Sequence, residues 1–297
     1  MSLYLWVLII SCIGTRFSEV FILKKYQLEK GSSFRANAMY LILGGMVYAA
    51  VCSLILLVTG KPLTFSWYSF LFAIAVVAGA GLYTIFLNKA YASGQIATAQ
   101  IFSNMGTIIL TCAWGLILLD ETLSIFKAVS ILLMLVSLLL ITDRKGEKVN
   151  LKLLWVYALI IIFSSFVTLL YKYHQTSAPE LAVDPFSFNV WVGLIRAALF
   201  SLFIPRFIRQ EGRSSLRHTK KSFSYAAMSS VIVAITQTLY LISLGFVPVS
   251  VASPLATGIS ILLSVLIPWV AYREKLTRNQ ILGALLSLIG TILFVFE

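Results

Sequence analysis

The chain has 297 residues, of which 60% are hydrophobic and only 11% charged, and its mean hydropathy is +0.95. Soluble chains carry roughly a quarter charged residues, so these charges are too few to cover a globule and an ordinary soluble domain is excluded. The formal net charge of +12, from 23 Lys and Arg against 11 Asp and Glu, raises nucleic acid as a partner until the basic residues are located. They fall mainly in short gaps between long apolar runs, where membrane topology accounts for them.

Ten predominantly apolar stretches have the roughly 17 to 25 residues that a membrane-spanning helix needs. In chain order they are Leu3 to Leu23, Ala36 to Val58, Trp67 to Leu87, Ile96 to Leu119, Ile125 to Thr142, Leu153 to Tyr171, Phe186 to Ile204, Phe223 to Leu244, Val249 to Tyr272 and Asn279 to Phe296. Their length and the lack of period-2 alternation predict helices rather than barrel strands. The first run contains Ile9-Ile10-Ser11-Cys12, which fits a lipoprotein cleavage box superficially. No Lys or Arg precedes Cys12, so the positive region of such a signal is missing and the first helix is expected to stay. Tyr4, Trp6, Trp67 and Trp155 lie near run ends, as interfacial anchors do.

Basic residues on alternate sides set the orientation. The gaps after the odd-numbered helices hold 18 of them, from Lys24 and Lys25 to Arg278, and six of these lie between Arg206 and Lys221. The other side holds Lys61, Lys127 and Lys172, and Arg16 and Arg196 lie within helices. The basic side is therefore expected to be cytoplasmic, with both termini outside a cytoplasmic (inner) membrane. No nucleic-acid partner is needed.

Cys12, Cys52 and Cys112 lie far apart inside apolar runs and read as small buried hydrophobes. His174 and His218 fall in different predicted loops, at no ligand spacing, so neither a metal nor a cofactor is expected. The outer loop from Tyr171 to Pro185 gathers His174, Glu180 and Asp184 without a nucleophile at a recognised spacing. No phosphate-binding Gly-x-x-x-x-Gly-Lys-[Ser/Thr] loop occurs. Neither an enzyme nor an ATP-driven pump is expected.

A shift of 153 residues lays Ile96 to Leu140 over Val249 to Leu293 without a gap. Glu121-Thr122-Leu123-Ser124 then falls on Glu274-Lys275-Leu276-Thr277, Ser130 on Gly283 and Ser137 on Gly290. Five helices per half is an odd number, so the second half enters the membrane inverted. The expected fold is an all-α integral membrane protein of ten transmembrane helices in two inverted five-helix repeats. The first repeat covers residues 1–142, a cytoplasmic linker 143–152 and the second repeat 153–297.

The residues Ala90-Tyr91, Ala99, Glu121-x-Leu123 and Ser130 in the first half resemble the EamA-type repeat of the drug/metabolite transporter superfamily. So do Ser243-Leu244, Ala252, Pro254, Glu274-x-Leu276, Gly283-Ala284-x-Leu286 and Gly290 in the second, where the resemblance is clearest. The first half departs from the pattern: Ile101 stands where Pro254 does, and Ser130 and Ser137 where glycine is favoured. The resemblance implies a secondary transporter and no particular substrate.

A transport path should appear as polar residues on one face of apolar helices. Gln100, Asn104, Thr107 and Thr111 fall at i, i+4, i+7 and i+11 on the fourth helix. Under the 153 shift they become Ser253, Thr257, Ser260 and Ser264 on the ninth. Cavity lining and interhelical hydrogen bonding both produce such stripes. Thr84, Asn88 and Gln237 are weaker members of the same set.

Three charges lie deeper. Arg16 and Glu19 sit at i, i+3 on the first helix, where they can pair, with Cys12 and Thr15 adjoining. Arg196 lies near the middle of the seventh helix on a face with Asn189 and Gly193. At 1.5 Å per residue the two arginines sit about 10 and 12 Å from the cytoplasmic ends, within reach of one layer. Each such charge costs about 2.5 to 3.5 kcal/mol to insert. A guanidinium fork suits a carboxylate or phosphate, so Arg196, with Arg16 and Glu19, is a candidate site for an anionic or zwitterionic solute. The alternative is a structural network in which Glu19 bridges both arginines, or in which Arg16 snorkels to the surface. Glu19 is also the candidate proton-coupling group. Burial would raise its pKa and a paired arginine lower it, and the sequence does not decide between them.

Glu121 and Glu274 precede Ser124 and Thr277, which suit helix N-caps, and acids there complement the helix dipole. Gly283, Ser287 and Gly290 form a small-residue face for close helix contact, between the halves or between the subunits of a homodimer. The expected function is transport of a small polar, anionic or zwitterionic metabolite. Its rivals are efflux of lipophilic or cationic compounds, which calls for aromatic lining and an intramembrane acid, and a non-transporting membrane receptor or assembly partner.

Overall fold

The computed structural model describes residues 2–31, 33–92, 96–118, 124–142, 153–178, 180–211, 219–272 and 277–295. The predicted linker 143–152, the loop holding His218, and Glu121 and Glu274 lie outside the described residues. Among those described every regular element is helical.

Helix α1 (Ser2–Phe17) passes through a π-helical segment (Ser18–Leu23) into α2 (Lys24–Lys30), so the first predicted span runs on to Lys30. Gly31, at φ 81°, ends it by donating its N–H to the Gln27 carbonyl at 2.7 Å, in the left-handed conformation that glycine adopts at no steric cost. There follow α3 (Phe34–Val58), α4 (Trp67–Ala92), α5 (Ile96–Leu118), α6 (Ile125–Thr142), α7 (Leu154–Thr176), α8 (Pro185–Ser201), a short α9 (Ile204–Glu211), α10 (Lys220–Phe246), α11 (Val249–Tyr272) and α12 (Arg278–Val295). Among the described residues seven helices are long and apolar enough to cross a membrane, and three more apolar helices are shorter: Phe102–Leu118, Ile125–Leu140 and Arg278–Leu293. Large apolar side chains such as Leu57, Ile117, Ile125 and Trp67 stand exposed on the outside of the bundle. A soluble protein would hide such a surface, and lipid accepts it.

Helix starts follow from short polar side chains. Ser33 accepts from the Ala36 N–H, Asp184 from Phe186 and Ser187, and Thr219 from Ser222. Ser124 accepts from the Lys127 N–H. Thr277 and Gln280 cap each other, N–H to side chain in both directions, as a capping box does. The two hydroxyl residues of the repeat signature are thus N-caps, as expected.

His174 lies not in a loop but in the last turn of α7, buried against the Phe188 ring with centroids 3.8 Å apart. Its Nε2 pairs with Ser69 Oγ at 2.8 Å, and Ser69 accepts from the Val183 N–H. The apolar run ends at Tyr171, but the backbone continues because Lys172, itself buried, donates to the carbonyls of Leu244 (2.7 Å) and Val247 (2.8 Å). That cation satisfies the terminal acceptors of α10, which is what a helix C-terminus favours.

Backbone approaches backbone in three helix pairs, and on α5 and α7 a Cβ at Gly106 would lie 2.6 Å from Ile161 Cα. On α3 and α8, a Cβ at Gly45 would lie 2.6 Å from the Gly193 carbonyl, and one at Gly193 would lie 2.7 Å from the Gly45 carbonyl. On α6 and α12, Ser137 donates to the Gly283 carbonyl at 2.6 Å, while a Cβ at Gly290 would stand 3.1 Å from the Ser130 carbonyl. Ser287 donates to the Gly258 carbonyl of α11 at 2.9 Å. The small-residue face of α12 is therefore spent on α6 and α11, inside the protein.

Candidate functional site

Two adjoining cavities, of about 240 and 310 Å³, lie between the helices of the two halves and share Arg16, Val167, Thr168, Ala256 and Ser260 in their walls. The smaller is completed by Ser11, Cys12 and Thr15 of α1, Tyr171 of α7, and Gln237 and Tyr240 of α10. The larger is completed by Ala80 and Tyr83 of α4, Ser103, Asn104 and Thr107 of α5, Phe163 and Ser164 of α7, and Thr257 of α11. Arg16 stands at their junction, one residue from the end of α1 and two before the π segment. Such segments recur at functional sites because they re-aim side chains without ending the helix.

Most small hydroxyls in these walls are turned to backbone. Thr107 donates to the Ser103 carbonyl (3.0 Å), Thr257 to Ser253 (2.9 Å) and Ser11 to Leu8 (2.7 Å), while Ser164 reaches Ile161 (2.9 Å) and, across the helix gap, Ser103 (3.2 Å). Others tie neighbouring helices: Tyr83 with Ser103 at 2.8 Å, Thr15 with Thr236 at 2.8 Å, Tyr171 with Gln237, and Tyr240 with Thr168. The groups of chemical reach around the space are Arg16, Asn104, Gln237 and the tyrosine hydroxyls: one cation, two carboxamides and several neutral hydroxyls.

Of the residues expected at a site, Arg16, Asn104, Gln237 and Thr257 are brought together here. The side chains of Glu19 and Gln100, and of Asn88 and Ser264, lie outside the described residues. Ser253 does not line either cavity. It is buried, accepts from Thr111 Oγ1 at 2.7 Å and donates to the Thr107 carbonyl at 2.8 Å. Thr111 also bonds Thr107, so this end of the two polar stripes joins α5 to α11 instead of facing a path.

Arg196 also stands outside both linings. It is half-buried, its guanidinium carbon 5.4 Å from the centroid of the buried Tyr48 ring on α3. It interacts electrostatically with the hydroxyls of Tyr48 and Tyr171. Tyr171 is the common element, a wall of the smaller cavity and a neighbour of Arg196. Helix α7, absent from the expected site, supplies more of the two walls than any other helix. Ser164, Thr168 and Tyr171 fall at i, i+4 and i+7, a polar stripe of the same kind as that on α5.

Residues 150–296 match the EamA-like transporter family. By that match, the second half of the chain is an EamA-like transporter unit. No curated protein matches it. A crystal structure described only as that of a protein covers 99% of this chain and 96% of its own, at 16% identity and a TM-score of 0.79. At that identity the likeness shows the fold alone. The EamA-like chain is thus a multi-pass membrane protein of a transporter family, and its two cavities lie where helices of the matched half meet those of the first.

Proposed function

We propose that this EamA-like protein is a secondary transporter that moves a small anionic or zwitterionic metabolite across the cytoplasmic membrane by alternating access. The reading rests on one observation: a polar space centred on Arg16, walled by α1, α4 and α5 from the first half and by α7, α10 and α11 from the second. A guanidinium at the junction favours a solute carrying a carboxylate or phosphate, and the carboxamides of Asn104 and Gln237 offer donors and acceptors to its other polar groups.

The proposal includes ten spans in two inverted repeats, 1–142 and 153–297, with both termini outside. The close helix contacts support it. Under the 153 shift, the Ser137 to Gly283 contact exchanges with the Gly290 to Ser130 contact, and outside that register Gly45 and Gly193 meet each other's carbonyls reciprocally. Partners that swap in this way are what a two-fold axis between halves produces, and an axis in the membrane plane lets one half rock on the other about a central site.

Counterflow in proteoliposomes tests this, since exchange of labelled for unlabelled solute requires a site that faces each side in turn. Uptake of amino acids, organic acids or sugar phosphates is expected. Uptake of cationic dyes alone would shift the reading to efflux of lipophilic cations, for which Tyr83, Phe163, Tyr171 and Tyr240 supply an aromatic lining. Failure of every solute to exchange or to stabilise the folded protein would favour the non-transporting receptor.

A further inference from the structure

Between α3, α7, α8 and α10 lies a second polar layer that neither cavity absorbs. Tyr48 is 1% exposed and, among the described residues, its hydroxyl has no hydrogen-bond partner. A buried hydroxyl left unpaired is costly, and native proteins keep few of them. The same hydroxyl interacts electrostatically with Arg196, Tyr171 and Cys52. Among the described residues no carboxylate pairs with Arg196 within salt-bridge distance, and its guanidinium lies over the Tyr48 ring. The layer continues through Cys52 and Thr238 (3.9 Å) to Asn189 Nδ2 (2.8 Å), whose Oδ1 is likewise buried without a partner.

We propose that Arg196 and the Tyr48 hydroxyl form an anion subsite that takes the carboxylate of the transported solute, reached from the smaller cavity past the Tyr171 side chain. This rests on the transporter reading and sharpens it: the carboxylate is held behind α7, and Arg16, in the walls of both cavities, meets the solute's other polar groups, a second acidic group included. The chemistry is matched in type: a guanidinium donates two parallel N–H groups to a carboxylate and a phenol adds a third donor. Asn189 Oδ1 accepts and does not donate, so it takes no part in holding the anion. Tyr171 is suited to be the door because it lines the smaller cavity and interacts with both Arg196 and Tyr48. Its hydroxyl bonds Gln237, which lines the same cavity, and exchange of that bond for one to the arriving carboxylate uncovers Arg196. The subsite is braced by the α3 and α8 backbones, which touch at Gly45 and Gly193, one helical turn from Tyr48 and Arg196 respectively.

The test uses the purified full-length protein with L-amino acids of aromatic, branched and acidic side chain, each paired with its carboxamide, and reads the ligand-induced rise in melting temperature against concentration. The acid is expected to bind wild type at least tenfold more tightly than its carboxamide. Tyr48→Phe removes only an unsatisfied hydroxyl, so its melting temperature without ligand should hold or rise, while acid affinity falls roughly tenfold and carboxamide affinity stays. Arg196→Lys keeps the charge but loses the fork, and acid affinity should fall by roughly tenfold or more. If both variants, folded, keep the wild-type preference for the acid, the subsite is wrong and the transporter reading stands. If neither acid nor carboxamide stabilises wild type, the subsite falls together with the solute class on which it rests.

Discussion

The α3 and α8 pair and the seam around Arg16 solve the same problem, two helices meeting in a membrane, in opposite ways. At Gly45 and Gly193 there is no side chain to hold the backbones apart, and carbonyl faces backbone at contact distance. Around Arg16 the lining positions include Asn104, Thr107, Ser164 and Thr168, and although α5 and α7 touch at Gly106 and Ile161, α1, α4 and α11 do not close over the polar side chains beside that contact. There the helices part and leave about 310 Å³. Lipid gives little reason for helices to associate beyond packing and hydrogen bonds, so residue size decides which interfaces close. A protein with both kinds has fixed pairs flanking a seam that can change.

The largest expected effect breaks the closed side of that comparison. In Gly45→Val the added carbons would meet the Gly193 carbonyl and the Ala197 N–H, which are backbone and cannot swing aside. Overpacking of this kind costs about 3 kcal/mol at the upper end of its usual range. Thermal unfolding in detergent should show a melting temperature well below wild type. A wild-type value would mean that the two backbones are not in contact.

On the open side, Arg16→Gln removes the one cation shared by both cavities. A hydrogen bond to a charged group is worth about 1.5 to 3 kcal/mol, so affinity for an acidic or zwitterionic solute should fall by roughly ten- to a hundredfold. Titration of the ligand-induced melting shift measures it. An unchanged titration with wild-type folding would leave Arg16 as a structural group only.

The existence of the apolar helices could be read from run length alone, because a membrane demands a fixed length of apolar residues. Their ends could not. Hydropathy marks where lipid stops, whereas α2 and the last turns of α7 are held by polar contacts beyond that point, such as those of Lys172. Arg16, Asn104, Gln237 and Thr257 stood out as polar groups in apolar runs, and the structure gathers them. Ser253 looked the same on paper, but one turn of α11 separates a residue that meets α5 from one that meets open space. That difference depends on interhelical distance, which no periodicity encodes. Helix α7 escaped notice because its useful stripe lies among other hydroxyls, Ser165 and Thr176, that bond their own backbone.

A smaller effect is expected at Ser137→Ala. The hydroxyl bridges α6 to the Gly283 carbonyl of α12 at 2.6 Å. Because that carbonyl belongs to a helix, its loss leaves no orphan, and hydrogen bonds between membrane helices average about 0.6 kcal/mol. The melting temperature should drop slightly. A drop as large as that of Gly45→Val would make this hydroxyl a principal clamp between the halves.

The smallest expected effect separates two of the close pairs, α3 with α8 and α6 with α12, from each other. Alanine at Gly193 would place its Cβ 2.7 Å from the Gly45 carbonyl and 2.9 Å from the Ala49 nitrogen, with nothing flexible to yield. Alanine at Gly290 would stand 3.1 Å from the Ser130 carbonyl and 3.2 Å from Met134 Cγ. Methionine has rotamers to spare and can shift by the few tenths of an ångström needed. Replacing glycine by alanine inside a helix also contributes on the order of 0.8 to 1 kcal/mol of propensity, which offsets the strain. Gly290→Ala should therefore change stability by less than about 0.5 kcal/mol, while Gly193→Ala, measured beside it, destabilises clearly. Equal losses would show that the α6 and α12 contact is as rigid as that of α3 and α8. The α6–α12 contact would then be a fixed pair too, and the proposed alternating access would have to turn on the seam around Arg16.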